Sequence, residues 1–217
     1  MNIRSLSHYV NSFLAFSLIK LSSLFKVSYV FGSHAAFFSL SNCSLPLTGR
    51  YFGFTGISII TIASMITRLI WGGITPLSLL VYHVPGFCAG LYWAAPHIAT
   101  RLLLPIAMFL AFIIHPIGSQ SFLYASLWLV PMAVYAARLQ HIFAHALAST
   151  LIAHAVGSVI WIYAVPTTAL FWNSLLPVAL VERLTFAVGM MVLAYAVDQL
   201  RMRLQKPVVK VITTQSC

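Results

Sequence analysis

Acidic side chains are almost missing from this chain. Glu182 and Asp198 are its two carboxylates in 217 residues, against twelve Lys and Arg. Charged residues make up 6% of the total, where a water-facing surface draws on about a quarter. With 61% hydrophobic residues and a mean hydropathy of +0.96, the chain cannot clothe itself in polar surface, and its solvent is expected to be lipid. One Asp and one Glu nearly exclude paired-carboxylate chemistry, and only Glu182 could serve as the intramembrane acid of a proton-driven pump. Cysteine is also scarce. Cys43, Cys88 and Cys217 show neither paired nor zinc-like spacing, so no disulfide framework is expected, and Cys43 and Cys88 read as packed thiols. Gly-x-Ser-x-Gly, His-Glu-x-x-His and a phosphate-cradling glycine loop are all absent, which leaves no visible nucleophile. No cofactor or metal is expected. The cations stand singly along the chain and form no basic face, so no nucleic-acid partner is expected either.

What is present is a series of apolar runs. A membrane span needs about 20 mostly apolar residues. Candidate spans are 9–31, 33–49, 52–71, 75–95, 99–116, 119–137, 139–163 and 180–200, followed by a tail over 201–217. The fold class is therefore an all-α, polytopic integral membrane bundle of six to eight transmembrane helices in a single domain, 1–217. The weak second span could be re-entrant. Lys20 interrupts the apolar run at the N-terminus and no small-residue cleavage site follows, so a retained span is expected over a signal peptide. The connector 164–179 carries Pro166 and Pro177 and reads either as an interfacial helix or as an early start to the last span.

Lys and Arg mark cytoplasmic loops. Arg201, Arg203, Lys206 and Lys210 put the C-terminus in the cytoplasm, and alternation backwards puts Arg138, Arg101, Arg50 and Arg4 inside as well. The outer loops 117–119 and 164–179 hold no Lys or Arg. A multi-pass protein of the inner or plasma membrane is expected, with the lipid bilayer as its first partner. Lys26, Arg68 and Arg183 escape this rule and fall toward the outer ends of spans, as does Glu182. Snorkelling of long side chains to the interface explains them. An outward-facing polar pocket explains them as well, with Arg68 or Lys26 meeting an anionic group. Glu182 and Arg183 are neighbours on a helix, about 100° apart, so at least one is expected to need a further partner, and Arg68 suits Glu182. Asp198 reads as the ion-pair partner of Arg201.

The span 139–163 is the most patterned. His141, His145 and Ser149 share one stripe; Ala146, Thr150, His154 and Ser158 form a second, pointing nearly opposite. His-x3-His is a common zinc spacing, but the intervening residues are Ile142, Phe143 and Ala144, with no Glu to act as base. The second stripe suits close helix contact with hydroxyl hydrogen bonds, or alternatively a pocket wall that includes His154. In 82–96, His83 precedes Val84-Pro85-Gly86, which is expected to break its helix, either as a packing kink or as the frame of a substrate site. Gly86-x3-Gly90 would let another helix press close.

The short apolar stretch after the first span, the glycine-flanked basic turn within PLTGRYFGFTGISIITIAS (46–64) and the segment Ile152–Ser158 resemble the substrate-binding S components of energy-coupling-factor vitamin transporters, loosely those of the biotin type. The resemblance implies a small-molecule substrate and an ATPase-bearing transporter partner. That family has six helices, and its Ala-x3-Ala docking motif is not in the first span here, so no residue role follows. The leading expectation is a transport protein that captures a small, anionic molecule from the outer face, energised by a partner or a gradient. Lys26, Arg68, Glu182, His83 and His154 would line its site, with Trp71, Trp172 and Asn173 covering the ligand. A membrane scaffold that binds other helices, and an intramembrane enzyme using His83, His154 or Glu182, are the alternatives.

Overall fold

The computed structural model describes residues 26–29, 36–39, 41–71 and 75–205, with Ser17 and Leu24 as isolated positions. Most of the expected span 9–31 and the tail beyond Gln205 lie outside the described residues. Strand β1 (Lys26–Tyr29) pairs antiparallel with β2 (Ala36–Ser39), Lys26 opposite Ser39 and Tyr29 opposite Ala36. This hairpin takes residues that the expected spans 9–31 and 33–49 had assigned to helix. KVSY and AFFS are short runs with valine, tyrosine and phenylalanine, and such runs suit a pleated strand as well as an apolar helix.

Among the described residues, everything else with regular structure is helical. The helices are α1 (Ser41–Trp71), α2 (Pro76–Ala94), α3 (Leu104–Ile114), α4 (Pro116–Ser119), α5 (Phe122–Ala125), α6 (Leu129–Ala136), α7 (Ile142–Ala164) and α8 (Ala169–Gln205). A π-helical segment, Ala99–Leu103, leads into α3, and a 3₁₀ turn, Ser126–Trp128, joins α5 to α6. Among the described residues four helices (α1, α2, α7 and α8) are long and apolar enough to cross a membrane, and Ala99–Ile114 and Phe122–Ala136 form shorter apolar rods.

Helix α1 is bent sharply at Gly53, whose φ of 66° and ψ of −163° lie in a region essentially reserved for glycine. Its two arms pack on α2 in opposite senses. In the first arm Leu45 meets Gly86 and Gly49 meets Gly90, so the numbering rises together. In the second, Ile57 meets Gly90, Thr61 and Met65 face His83 and Val84, and Arg68 meets Tyr82, so the numbering runs opposed. The arms therefore form a helical hairpin around the glycine that follows Arg50-Tyr51-Phe52. The Gly49–Gly90 contact is backbone on backbone, with no room for a methyl group on Gly49. The Gly86-x3-Gly90 pattern is thus used inside the chain.

The caps explain where the long helices begin. Thr75 accepts from the Ser78 amide at the head of α2, with Pro76 in its first turn. The His141 side chain accepts from the Phe143 amide at the head of α7. Thr168 accepts from the Phe171 amide at the head of α8. The connector 164–179 is thereby resolved as an early start to the last helix, which runs through Pro177. The expected break at Val84-Pro85-Gly86 does not occur: α2 continues through it. A methyl group on Gly157 of α7 would lie 3.5 Å from the Pro85 ring, and Leu45 fills the space over Gly86, so packing holds the turn that proline weakens.

Helix α7 is the central post. In its apolar window 56% of residues are buried, against 22–28% for α1, α2 and α8, which turn broad apolar faces outward. One core joins α1, α2, α7 and α8 around Leu47, Tyr92, Trp93, Ile152 and Phe186. The other joins α3, α5, α7 and α8 around Phe112, Tyr124, Trp128 and Trp172. In the second core Phe112 makes edge-to-face contacts with Trp128 at 5.0 Å and with Trp172 at 5.2 Å, each such pair contributing about 0.5–1.5 kcal/mol beyond its burial.

Candidate functional site

The polar side chains of this bundle sort into three groups, and the residues expected to share one pocket are divided among them. The first group lies between the second arm of α1 and α2. An open cleft of about 250 Å³ is lined by Ser58, Thr61, Ile62, Met65, His83, Val84 and Phe87. Thr61, Met65 and Arg68 follow one another along the same stripe of α1. Arg68 stands beyond Met65 on that stripe, outside the cleft lining, with its guanidinium carbon 3.8 Å from the centre of the Tyr82 ring. Such a cation–π contact orients a guanidinium without neutralising it. The Thr61 hydroxyl and the Arg68 Nε are both buried and have no hydrogen-bond partner among the described residues. Arg68 and His83 are therefore brought to one seam. Lys26 opens β1, and its side chain, like that of Trp71, lies outside the described residues.

The second group sits mid-bundle, where α7 meets α8. Arg183 is buried and pairs with Glu182 at 3.2 Å. Its other terminal nitrogen donates to the Thr150 hydroxyl at 3.3 Å, and its guanidinium lies 4.9 Å from the Phe186 ring. The expectation that neighbours 100° apart cannot meet is therefore corrected. The Cβ directions diverge, but both side chains are long enough to fold back on one another. Arg68 is not the partner of Glu182, being held at Tyr82. The early start of α8 also moves Glu182 and Arg183 from the outer end of a span to its middle. Further along the same face of α7, the His154 ring lies 5.3 Å from that of Tyr124 in a tilted contact, and Ser158 lies 2.9 Å from the Tyr124 hydroxyl. The stripe Thr150–His154–Ser158 thus ties α7 to α5 and α8. The opposite stripe turns to α2: Ser149 donates to the Ala89 carbonyl at 2.9 Å, and His145 Nδ1 lies 2.8 Å from the Tyr92 hydroxyl.

Trp172 and Asn173 belong to neither. Trp172 is buried in the aromatic core and donates from its indole N–H to Thr167 at 2.9 Å. Asn173 is exposed and reaches the Gln120 carbonyl at 3.5 Å. A second open cleft, of about 350 Å³, lies near this end between His115, Tyr163 and Pro166. No group of three or more His, Cys, Asp or Glu able to hold a metal ion occurs among the described residues.

The third group went unrecognised in the sequence. It gathers at the opposite end of the bundle. Arg50 pairs with Asp198 at 3.1 Å, and Tyr51 bonds to both Asp198 and the Ala194 carbonyl. Asp198 is thus paired across the fold with Arg50, not with Arg201 as its spacing suggested. Arg201 instead lies over the Tyr51 ring at 4.4 Å. The signal was available in the basic loops, but nothing in a sequence says which cation a single carboxylate selects. No family model matches this chain, and no curated protein or solved structure matches it.

Proposed function

We propose that this chain is an integral membrane transport protein that takes a small anionic molecule from the outer face, with energy supplied by a partner or a gradient. The observation that carries the reading is the cleft between α1 and α2. It combines apolar walls with an imidazole at His83 and the buried Thr61 hydroxyl, and Arg68 stands just beyond its lining; Thr61 Oγ1 and Arg68 Nε have no hydrogen-bond partner among the described residues. A buried donor left unmade costs about 1–3 kcal/mol, more when charged, and a ligand carboxylate or phosphate would recover that cost. Apolar walls with a few placed polar groups are the general character of a small-molecule site. Glu182, Arg183, His154 and Trp172 hold the bundle together in this reading and do not touch the ligand.

The test is native mass spectrometry of the protein extracted in mild detergent, followed by titration with whatever small molecule is retained. Arg68→Gln should weaken its binding at least tenfold, which is about 1.4 kcal/mol. His154→Ala, outside the cleft, should leave the affinity within twofold. Equal loss in both variants, or no small molecule and one stoichiometric membrane partner, would favour the scaffold reading instead. Gly49, Gly86 and Gly90 pack inside the chain, so a scaffold would have to draw on other small residues.

A further inference from the structure

The basic end carries a site of a different kind. Three guanidinium groups, from Arg50, Arg101 and Arg201, gather there around Tyr51, Tyr92 and Trp93, with Asp198 as their one carboxylate. Arg101 stands on the π-helical segment Ala99–Leu103, a geometry frequent at functional positions. Its Nε donates to the Tyr92 carbonyl at 3.4 Å and its guanidinium carbon lies 4.9 Å from the Tyr92 ring. The guanidinium of Arg50 lies 5.5 Å from the Trp93 ring. Tyr92, Trp93 and His145 are in mutual ring contact at 5.8–6.1 Å, so Arg50 and Arg101 flank one aromatic group. Trp93 is 91% buried, and its indole N–H has no hydrogen-bond partner among the described residues.

We infer that Arg50, Arg101 and Trp93 form a binding site for the phosphate of an anionic phospholipid. The chemistry fits on three counts. Asp198 takes a single nitrogen of Arg50, and Arg101 has no carboxylate partner among the described residues, so the pair keeps net positive charge for an external anion. Planar guanidinium groups bind phosphate oxygens through paired N–H donors. The indole N–H supplies a further donor beside them. The position fits a lipid better than a soluble anion. Tyrosine and tryptophan beside arginine at a bundle end mark headgroup depth, and apolar outer faces of α1, α2 and α8 continue from it for acyl chains. The inference is independent of the transport reading and uses none of its residues.

The experiment is native mass spectrometry of the full chain in non-ionic detergent, titrated with phosphatidylglycerol or with phosphatidylcholine of the same acyl chains. Phosphatidylglycerol should be retained at least fivefold better. Arg101→Gln should bring it down to the level of phosphatidylcholine. Trp93→Phe, which leaves the charge unchanged, should lower retention at least twofold. Arg138→Gln removes a cation from another loop and should have little effect. Should Arg101→Gln fail to fold, Arg101→Lys and Trp93→Phe decide, since Lys keeps the charge but cannot make the paired contact. Equal retention of both lipids, or equal loss in the Arg101 and Arg138 variants, would reduce the site to diffuse charge and overturn it. Displacement of the lipid by millimolar inorganic phosphate would give the site to a soluble anion and overturn the lipid assignment.

Discussion

Glu182 is one of two carboxylates in the sequence, and the other is committed to Arg50 at the far end of the bundle. No other acidic side chain can therefore stand in for it beside Arg183, which is 4% exposed. Removing one member of a buried ion pair costs about 3–5 kcal/mol, whereas replacing both by apolar residues of similar size is often neutral. Glu182→Gln should accordingly lower the thermal unfolding midpoint in detergent sharply. The double variant Glu182→Gln/Arg183→Met should recover at least half of that loss. A double variant as unstable as the single one would show that Arg183 stabilises through Thr150 and Phe186 and not through its charge. The sequence showed that both residues needed an explanation, because charge in hydrocarbon is rare and costly. It did not show the pairing. Helical periodicity fixes where Cβ points and says little about where the end of an arginine settles.

Elements are decided by the glycines of α1 and α2. At Gly53 a methyl group meets nothing within 4 Å, so the cost of Gly53→Ala is purely one of backbone conformation, about 1–3 kcal/mol. At Gly49 the backbone dihedrals are ordinary, but the methyl group would fall on the carbonyl of Gly90, and a backbone cannot rotate out of the way. Overpacking of this sort costs about 1–3 kcal/mol, occasionally more, and it forces α1 away from α2. Gly49→Ala should therefore disrupt crosslinking between cysteines placed at Leu45 and Gly86, while Gly53→Ala lowers the melting temperature but leaves the α1–α2 register intact. Crosslinking lost equally in both would mean that the hairpin and the glycine contact are one unit. The split of this region into two runs on either side of Arg50 was legible, since a basic residue flanked by glycines interrupts the apolar pattern. The β1–β2 hairpin was not, because four-residue apolar runs have no period long enough to separate strand from helix. Nor could Pro85 be read correctly alone: whether proline breaks a helix depends on what packs against it, here Gly157, distant in sequence.

For the whole molecule, the arginines of four separate segments end on one side. Arg50 meets Asp198 near the end of α8, Arg101 lies under α2, Arg138 precedes the head of α7, and Arg201 covers Tyr51. The opposite end carries His115, Gln120, Tyr163 and Asn173, with no Lys or Arg between 139 and 182, and Arg68 is an exception that lies toward it at Tyr82. An asymmetry assembled from loops so far apart in sequence is what the positive-inside rule acts on, and under that rule the basic end is expected in the cytoplasm. The expectation can be tested residue by residue with a membrane-impermeant thiol reagent, in a chain whose Cys43 and Cys88 are replaced by alanine. Cysteine placed at Ser119 or Asn173 should react in intact cells. Cys217 should react only after permeabilisation. The reverse pattern would invert the expected orientation, carry Arg68 and the cleft at Thr61 to the cytoplasmic half, and make the proposed ligand arrive from within. Replacing Arg50 and Arg101 together by glutamine should weaken the asymmetry and produce mixed labelling at Ser119, because the positive-inside rule counts the cations at the basic end and not any one contact among them.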